Sequence, residues 1–195
     1  MNFPLDLRFK LIAIAQQIAV RDASGRLLYY ARQKAFKLKE AVTVFADEAQ
    51  SQPLYRIAAD RILDISAQYH IETQDGTPLG YVQRRGMRSI WRAHYEIHRD
   101  GRQILSINEE NPWVKLADGM ASGIPIVGMF TGYLLHPAYS VTQVSDGARI
   151  LRLIKQPAFF EGRYRIERIA ERPTDVEELA VLGLVMMVLL ERDRG

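Results

Sequence analysis

The chain has 195 residues, 48% of them hydrophobic, with a formal net charge of +3 and no cysteine. That length and composition suit one domain with a sizeable core, spanning residues 1–195, and the missing cysteine excludes disulfides, thiolate metal sites and a cysteine nucleophile. Lys, Arg, Asp and Glu are mixed along most of the chain, so the charge permits an anionic partner without demanding one.

Asp6, Arg8 and Lys10 precede a short apolar segment broken by Gln16 and Gln17, a poor signal peptide, so the chain reads as unprocessed and cytoplasmic. Leu11 to Val20 is mostly Ile, Ala, Leu and Val; the turn signal Asp22-Ala-Ser-Gly25 and Leu27 to Ala31 complete a predicted hairpin. Ala35 to Lys39 alternates, with Phe36 and Leu38 on one face and Lys37 and Lys39 on the other, as a one-sided strand does. Val42 to Phe45 and Leu54 to Ala58 read as strands joined by the polar loop Asp47 to Pro53.

The unit then recurs. Tyr69-His70-Ile71 leads to Asp75-Gly76, Tyr95-Glu96-Ile97 to Asp100-Gly101, and Tyr139-Ser140-Val141 to Asp146-Gly147. Each is a strand end running into an Asp-Gly turn. At a fixed offset beyond three of the turns stand Gln33-Lys34, Arg84-Arg85 and Lys155-Gln156, and further alternating strands follow, such as Trp91 to Ile97 and Tyr164 to Ile166. Degenerate repeats of many short antiparallel strands argue for a barrel or sandwich. Between Asp118 and Asp146 there is no charged residue, and Ile124 to Pro137 reads as a buried connector, because Gly123, Pro125, Gly128 and Gly132 interrupt any spanning helix.

The last stretch, Thr174 to Arg192, reads as a helix opened by a capping box of Thr174 and Glu177. Its run from Leu179 to Leu190 has no polar stripe, so it must be surrounded, and it is shorter than the roughly 20 residues that span a bilayer. Gly183 marks a place where a neighbouring backbone or ring comes close. A closed sheet of many strands has an interior to fill, and this helix is the filler. Any ligand site then lies outside the barrel or at its mouth.

The segments Arg32-Gln-Lys-Ala-Phe-Lys-Leu-Lys-Glu40, Ile62 to Ser66, Gly86 to Arg92, Glu110 to Lys115, Thr131 to Pro137 and the final apolar helix, in that order, resemble the LURP-one-related proteins of the tubby C-terminal-like superfamily. The resemblance covers nearly the whole chain. It implies a mainly β fold, a closed twelve-stranded antiparallel barrel around a central C-terminal helix. For function it implies less: tubby domains bind phosphoinositides through a basic surface, scramblases of the superfamily act on membrane lipids, and many LURP-one-related members have no assigned activity. None of the superfamily's lipid-binding residues maps onto particular positions here.

The basic residues after the turns are the candidate site. Arg84, Arg85, Arg88 and Arg92 stand close in sequence, Lys34, Lys37 and Lys39 occupy the corresponding part of an earlier repeat, and Lys155, Arg163 and Arg165 belong to the last. Aligned on neighbouring repeats they would form an outward patch holding phosphate oxygens, Arg bidentately and Lys as a point charge. His94, Glu96 and His98 would share one strand face, with the composition of a two-His, one-carboxylate metal set, yet three ligands along a flat strand splay apart and Arg92 repels a cation, so a solvated face is the expectation. There is no Gly-x-Ser-x-Gly elbow and no phosphate-binding glycine loop. Trp91 and Trp113 are not interleaved with the basic residues, which disfavours nucleic acid.

The expectation is a non-enzymatic module without cofactor or metal, binding anionic phospholipid headgroups as a cytoplasmic, membrane-peripheral protein. The alternative is a protein-interaction scaffold. Lipid scrambling is disfavoured, because the helix it would need holds the fold together.

Overall fold

A computed structural model describes residues 1–12, 15–34, 41–60, 67–85, 94–110, 138–158 and 162–192. The strands, in order, are β1 (Leu5–Ile12), β2 (Ala15–Arg21), β3 (Leu27–Lys34), β4 (Val42–Phe45), β5 (Pro53–Ala59), β6 (Gln68–Thr73), β7 (Pro78–Arg84), β8 (His94–Arg99), β9 (Arg102–Glu109), β10 (Ala138–Gln143), β11 (Arg149–Gln156) and β12 (Gly162–Arg168). Helix α1 (Thr174–Arg192) follows. Every strand pairs antiparallel with its sequence neighbours, and β12 returns to β1, so the sheet closes as a twelve-stranded barrel with no free edge.

Alternation builds the wall. In β1 the side chains of Leu5, Leu7 and Phe9 are buried, while Asp6, Arg8 and Lys10 take the other face. In β12 Tyr164 and Ile166 are buried between the exposed Arg163 and Arg165. A meander places successive connections at opposite ends. The turn at Gly25 and the Asp-Gly turns at Gly76, Gly101 and Gly147, together with the β4–β5 turn, therefore share one end of the barrel, and the spacing that reads as a repeat is one tight turn per two strands. Gly25 and Gly76 adopt φ of +84° and +85°, which a residue with a Cβ resists.

Helix α1 enters at the tight-turn end and runs inside the barrel toward the other end. Its residues from Leu179 to Leu190 are all buried, in one core with β-strand residues that include Leu7, Ile57, Val82, Ile97 and Leu153. At about 1.5 Å per residue its 19 residues span about 28 Å, and at roughly 1.5–3 kcal/mol for each large apolar side chain it is the chief source of hydrophobic stabilisation. Among the described residues no helix is long and apolar enough to cross a membrane.

Several local expectations are corrected. The segment Leu11 to Val20 is not one hairpin arm: it spans the end of β1 and most of β2, and the N-terminal residues before it form a full strand. The neighbour of Gly183 is neither backbone nor ring; a Cβ there would lie 2.5 Å from Ile97 Cδ1. The Glu177 carboxylate reaches back past Thr174 to accept the backbone N–H of Arg172 at 3.3 Å. The readings of Ala35 to Lys39, Trp91 and Ile124 to Pro137 lie outside the described residues.

Candidate functional site

The sheet order distributes the basic residues singled out above. Lys34 ends β3, Arg84 ends β7 and Lys155 lies near the end of β11, all toward the end opposite the tight turns. Three strands separate β3 from β7, and three more separate β7 from β11, so their axes lie about 19 Å apart along the wall at about 4.8 Å per strand. Arg84 pairs across the sheet with the buried Tyr95, and Lys155 with the buried Tyr164, so both take the inward face at the mouth. Arg85 takes the outward face, its Nη1 3.0 Å from Glu96 Oε1. Adjacent in sequence, Arg84 and Arg85 thus diverge. Lys37, Lys39, Arg88 and Arg92 lie outside the described residues.

The face carrying His94, Glu96 and His98 is sheltered rather than solvated, with the Glu96 and His98 side chains only 13% and 14% exposed. His98 Nε2 lies 3.2 Å from Glu96 Oε2, His94 Nδ1 pairs with Asn108 Oδ1, and the Tyr81 ring stacks on His98 at 4.6 Å. Arg85 already neutralises Glu96, and among the described residues no group of His, Asp and Glu is arranged to hold a metal.

Cations do converge where the first and last strands meet. The register sets Asp6 opposite Arg165 on one side and Arg21 on the other, and Arg8 opposite Arg163. These residues, with Gln156, Pro4 and the turn from Asp22 to Gly25, line an open groove of about 400 Å³ on the outer wall over β11, β12, β1 and β2. The strands put them there for an ordinary reason: each is the polar member of an alternating pair whose partner is in the core.

Within the groove Asp6 is the hub. Its Oδ2 accepts from Arg8 Nε at 2.8 Å and its Oδ1 from Arg163 Nε at 3.0 Å. Burial opposes ionisation, but those two guanidiniums hold the Asp6 carboxyl below its ordinary range. Arg165 gives Nε to Glu167 at 3.2 Å, and Arg21 pairs with Glu48 and with the Gly25 carbonyl. Asp22 is occupied by its own turn, accepting from Ser24 and from the Arg26 backbone N–H. Arg163 and Arg165 each commit one nitrogen of a five-donor guanidinium to a carboxylate, and both remain about half exposed. The arrangement suits an acceptor-only ligand of several oxygens.

Sequence reading named Arg163 and Arg165 but missed Arg8 and Arg21. The signal was present: Leu5-Asp6-Leu7-Arg8-Phe9-Lys10 is strict two-residue alternation, which marks a strand. Its pairing with a strand more than 150 residues later is a consequence of closure, and no local pattern carries it.

The fold and the groove together define a helix-filled antiparallel barrel whose polar chemistry faces outward. Residues 27–121 match the LURP-one-related family model, a stretch of the chain that is similar to that family. The match runs from β3 past β9, so Arg8, Arg21, Arg163 and Arg165 all lie beyond it. No curated protein and no solved structure matches the chain.

Proposed function

We propose that the protein is a non-enzymatic binding module that takes anionic phospholipid headgroups in the groove over β12, β1 and β2. The observation that carries this reading is the convergence of Arg8, Arg21, Arg163 and Arg165 on one open groove large enough for a headgroup. Guanidinium forks match phosphate oxygens in pairs. Exposed ion pairs contribute only about 0–1 kcal/mol each, so exchanging Glu48 or Glu167 for a phosphate oxygen meets little resistance. Basic residues near an anionic membrane add about 1 kcal/mol apiece. The closed barrel and internal helix give a rigid wall on which the groove keeps its shape.

Co-sedimentation with vesicles tests this. The protein is expected to pellet with phosphatidylcholine vesicles containing an anionic phospholipid and to remain in solution with phosphatidylcholine alone. Reversing Arg163→Glu and Arg165→Glu together should weaken anionic binding at least about tenfold at unchanged fold, since two reversals remove some four units of attraction. Wild-type protein that ignores anionic vesicles, or a double variant that binds as before, would sink the reading.

A further inference from the structure

We infer that the protein docks on an anionic bilayer by one edge, the tight-turn rim of β10 to β12, with Ile169 and Val144 entering the outer layer of the membrane below the arginine groove. The inference deepens the headgroup reading, giving that same site its orientation on the lipid surface, and rests on it.

Among the described residues two large apolar side chains are exposed, Val144 at 51% and Ile169 at 52%. Single exposed apolar residues are ordinary on a protein surface, so the placement of these two carries the argument. Ile169 follows β12 two residues past Glu167, and its N–H still donates to the Ile150 carbonyl oxygen at 2.8 Å, so the line of Arg163, Arg165 and Glu167 runs on to it. Val144 follows β10, its N–H donating to the Ile104 carbonyl oxygen at 2.9 Å. Both therefore stand at strand ends on the tight-turn rim, two strands or about 10 Å apart.

The groove opens above the same rim, where Arg21 and the turn from Asp22 to Gly25 line it. From Arg165 to Ile169 is about 13 Å along the strand, and a barrel strand tilted by about 35–45° turns that into about 10 Å of depth. The polar layer of one leaflet is about 5–8 Å thick, and a long arginine stem spans the remainder. An apolar tip at the acyl boundary with guanidiniums among the phosphates is how an interfacial anchor divides its contacts. The carboxylates beside the tip are matched: Asp146 accepts from Arg172 Nη2 at 2.7 Å, and Glu171 lies 4.0 Å from Arg168 Nη1. On the far side of the ring, where β5 stands six strands from β11, the β4–β5 turn presents Glu48, Ala49 and Ser51 to solvent. That side of the rim suits water, so the contact is edge-on.

The chain has no cysteine, so one introduced cysteine is the sole attachment point for an environment-sensitive fluorophore. The full chain carrying Ile169→Cys or Ala49→Cys, each labelled, is mixed with phosphatidylcholine vesicles containing phosphatidylserine, and binding is followed in parallel by co-sedimentation. The label at position 169 should shift to the blue and be quenched by nitroxide lipids, while the label at position 49 keeps its aqueous spectrum. Unlabelled Ile169→Gln should bind these vesicles about tenfold more weakly, the scale of withdrawing half an isoleucine side chain from apolar surroundings. It should bind soluble short-chain phosphatidylserine, which offers the headgroup without a bilayer, as the wild type does. Vesicle binding that leaves the label at 169 in water, or that buries the label at 49, overturns the docking edge while the headgroup reading stands. So does an Ile169→Gln variant that binds vesicles as tightly as wild type, or that loses the short-chain lipid as well. A wild-type chain that does not sediment with these vesicles overturns both.

Discussion

The barrel axis and the outer groove both hold carboxylates, and they treat them oppositely. Along the axis, Glu178 of α1 accepts the hydroxyls of Tyr29 and Tyr55 near the helix start, and Glu191 accepts that of Tyr95 near its end. Those donors are neutral, buried and anchored in the wall, so the bonds fix where the helix sits without bringing a second charge into the core. In the groove, Asp6 is held by two guanidiniums on solvent-facing strand positions. Charge pairs of that kind exchange partners readily, because water screens both the old contact and the new one. The difference separates what keeps the fold from what is available to a ligand: the interior is occupied by its own helix, and recognition is left to the wall.

The largest effect should come from removing that occupant. Deleting residues 174–195 leaves the inward side chains of the strands without a partner, and the burial lost exceeds the roughly 5–15 kcal/mol that a domain has in total. The truncated chain is expected to be insoluble or molten by near-ultraviolet circular dichroism. A soluble truncation with a cooperative melt would show that the wall stands without its axis and would break the comparison at its root.

Two glycines give a finer probe of the same interior. Gly80, in β7, has φ +150°, and a Cβ there would overlap the backbone carbonyl oxygen of His98 on the neighbouring strand. Backbone cannot retreat from backbone within a closed sheet, so Gly80→Ala should lower stability by about 3 kcal/mol. Gly183 also faces a close neighbour, but that neighbour is the far end of the Ile97 side chain, which can rotate. An alanine in a helix interior returns about 1 kcal/mol of helix propensity, so Gly183→Ala should change stability by less than about 1 kcal/mol. Urea unfolding of the two variants compares them directly, and equal losses would mean that the helix–wall contact is as unyielding as the strand–strand contact.

The interior was far more legible in the sequence than the groove. The unbroken apolar run from Leu179 to Leu190 admits no surface position, and the Asp-Gly turns mark alternate hairpins, so a barrel filled by its last helix follows from local pattern. The groove depends on register between β1 and β12, set by where the chain closes, and on the side each residue takes. The sequence neighbours Arg84 and Arg85 face opposite ways, while Asp6 and Arg163 meet from opposite ends of the chain. Proximity in sequence thus says nothing of the face that Arg84 and Arg85 each take, and it hides the meeting of Asp6 with Arg163. The shelter of Glu96 and His98 was equally unreadable, since alternation gives the side of the sheet and not what lies over it.

The smallest expected effect is a division of the pH profile between the two regions. Tyr29, Tyr55, Tyr95 and Tyr139 are pushed well above the ordinary tyrosine value of 10.0, by burial first and then, for each, by a nearby carboxylate. A raised folded value favours the neutral phenol in the folded state, so their contribution is complete below pH 10.0 and is lost as pH rises beyond it. Asp6 is displaced the other way, below its ordinary 3.8. Its contribution is complete above that value and is lost as pH falls through the folded-state one. Thermal melts across pH should therefore show an alkaline decline set by the axis, with phenolate absorbance from these four tyrosines rising only as the protein unfolds. Because Asp6 is an outer-wall pair, its acid-side share should be no more than about 1 kcal/mol. Asp6→Asn should flatten that share and leave the alkaline limb in place. An alkaline limb that moved with Asp6→Asn would mean that axis and groove are energetically coupled, and that a ligand on the wall is felt by the helix inside.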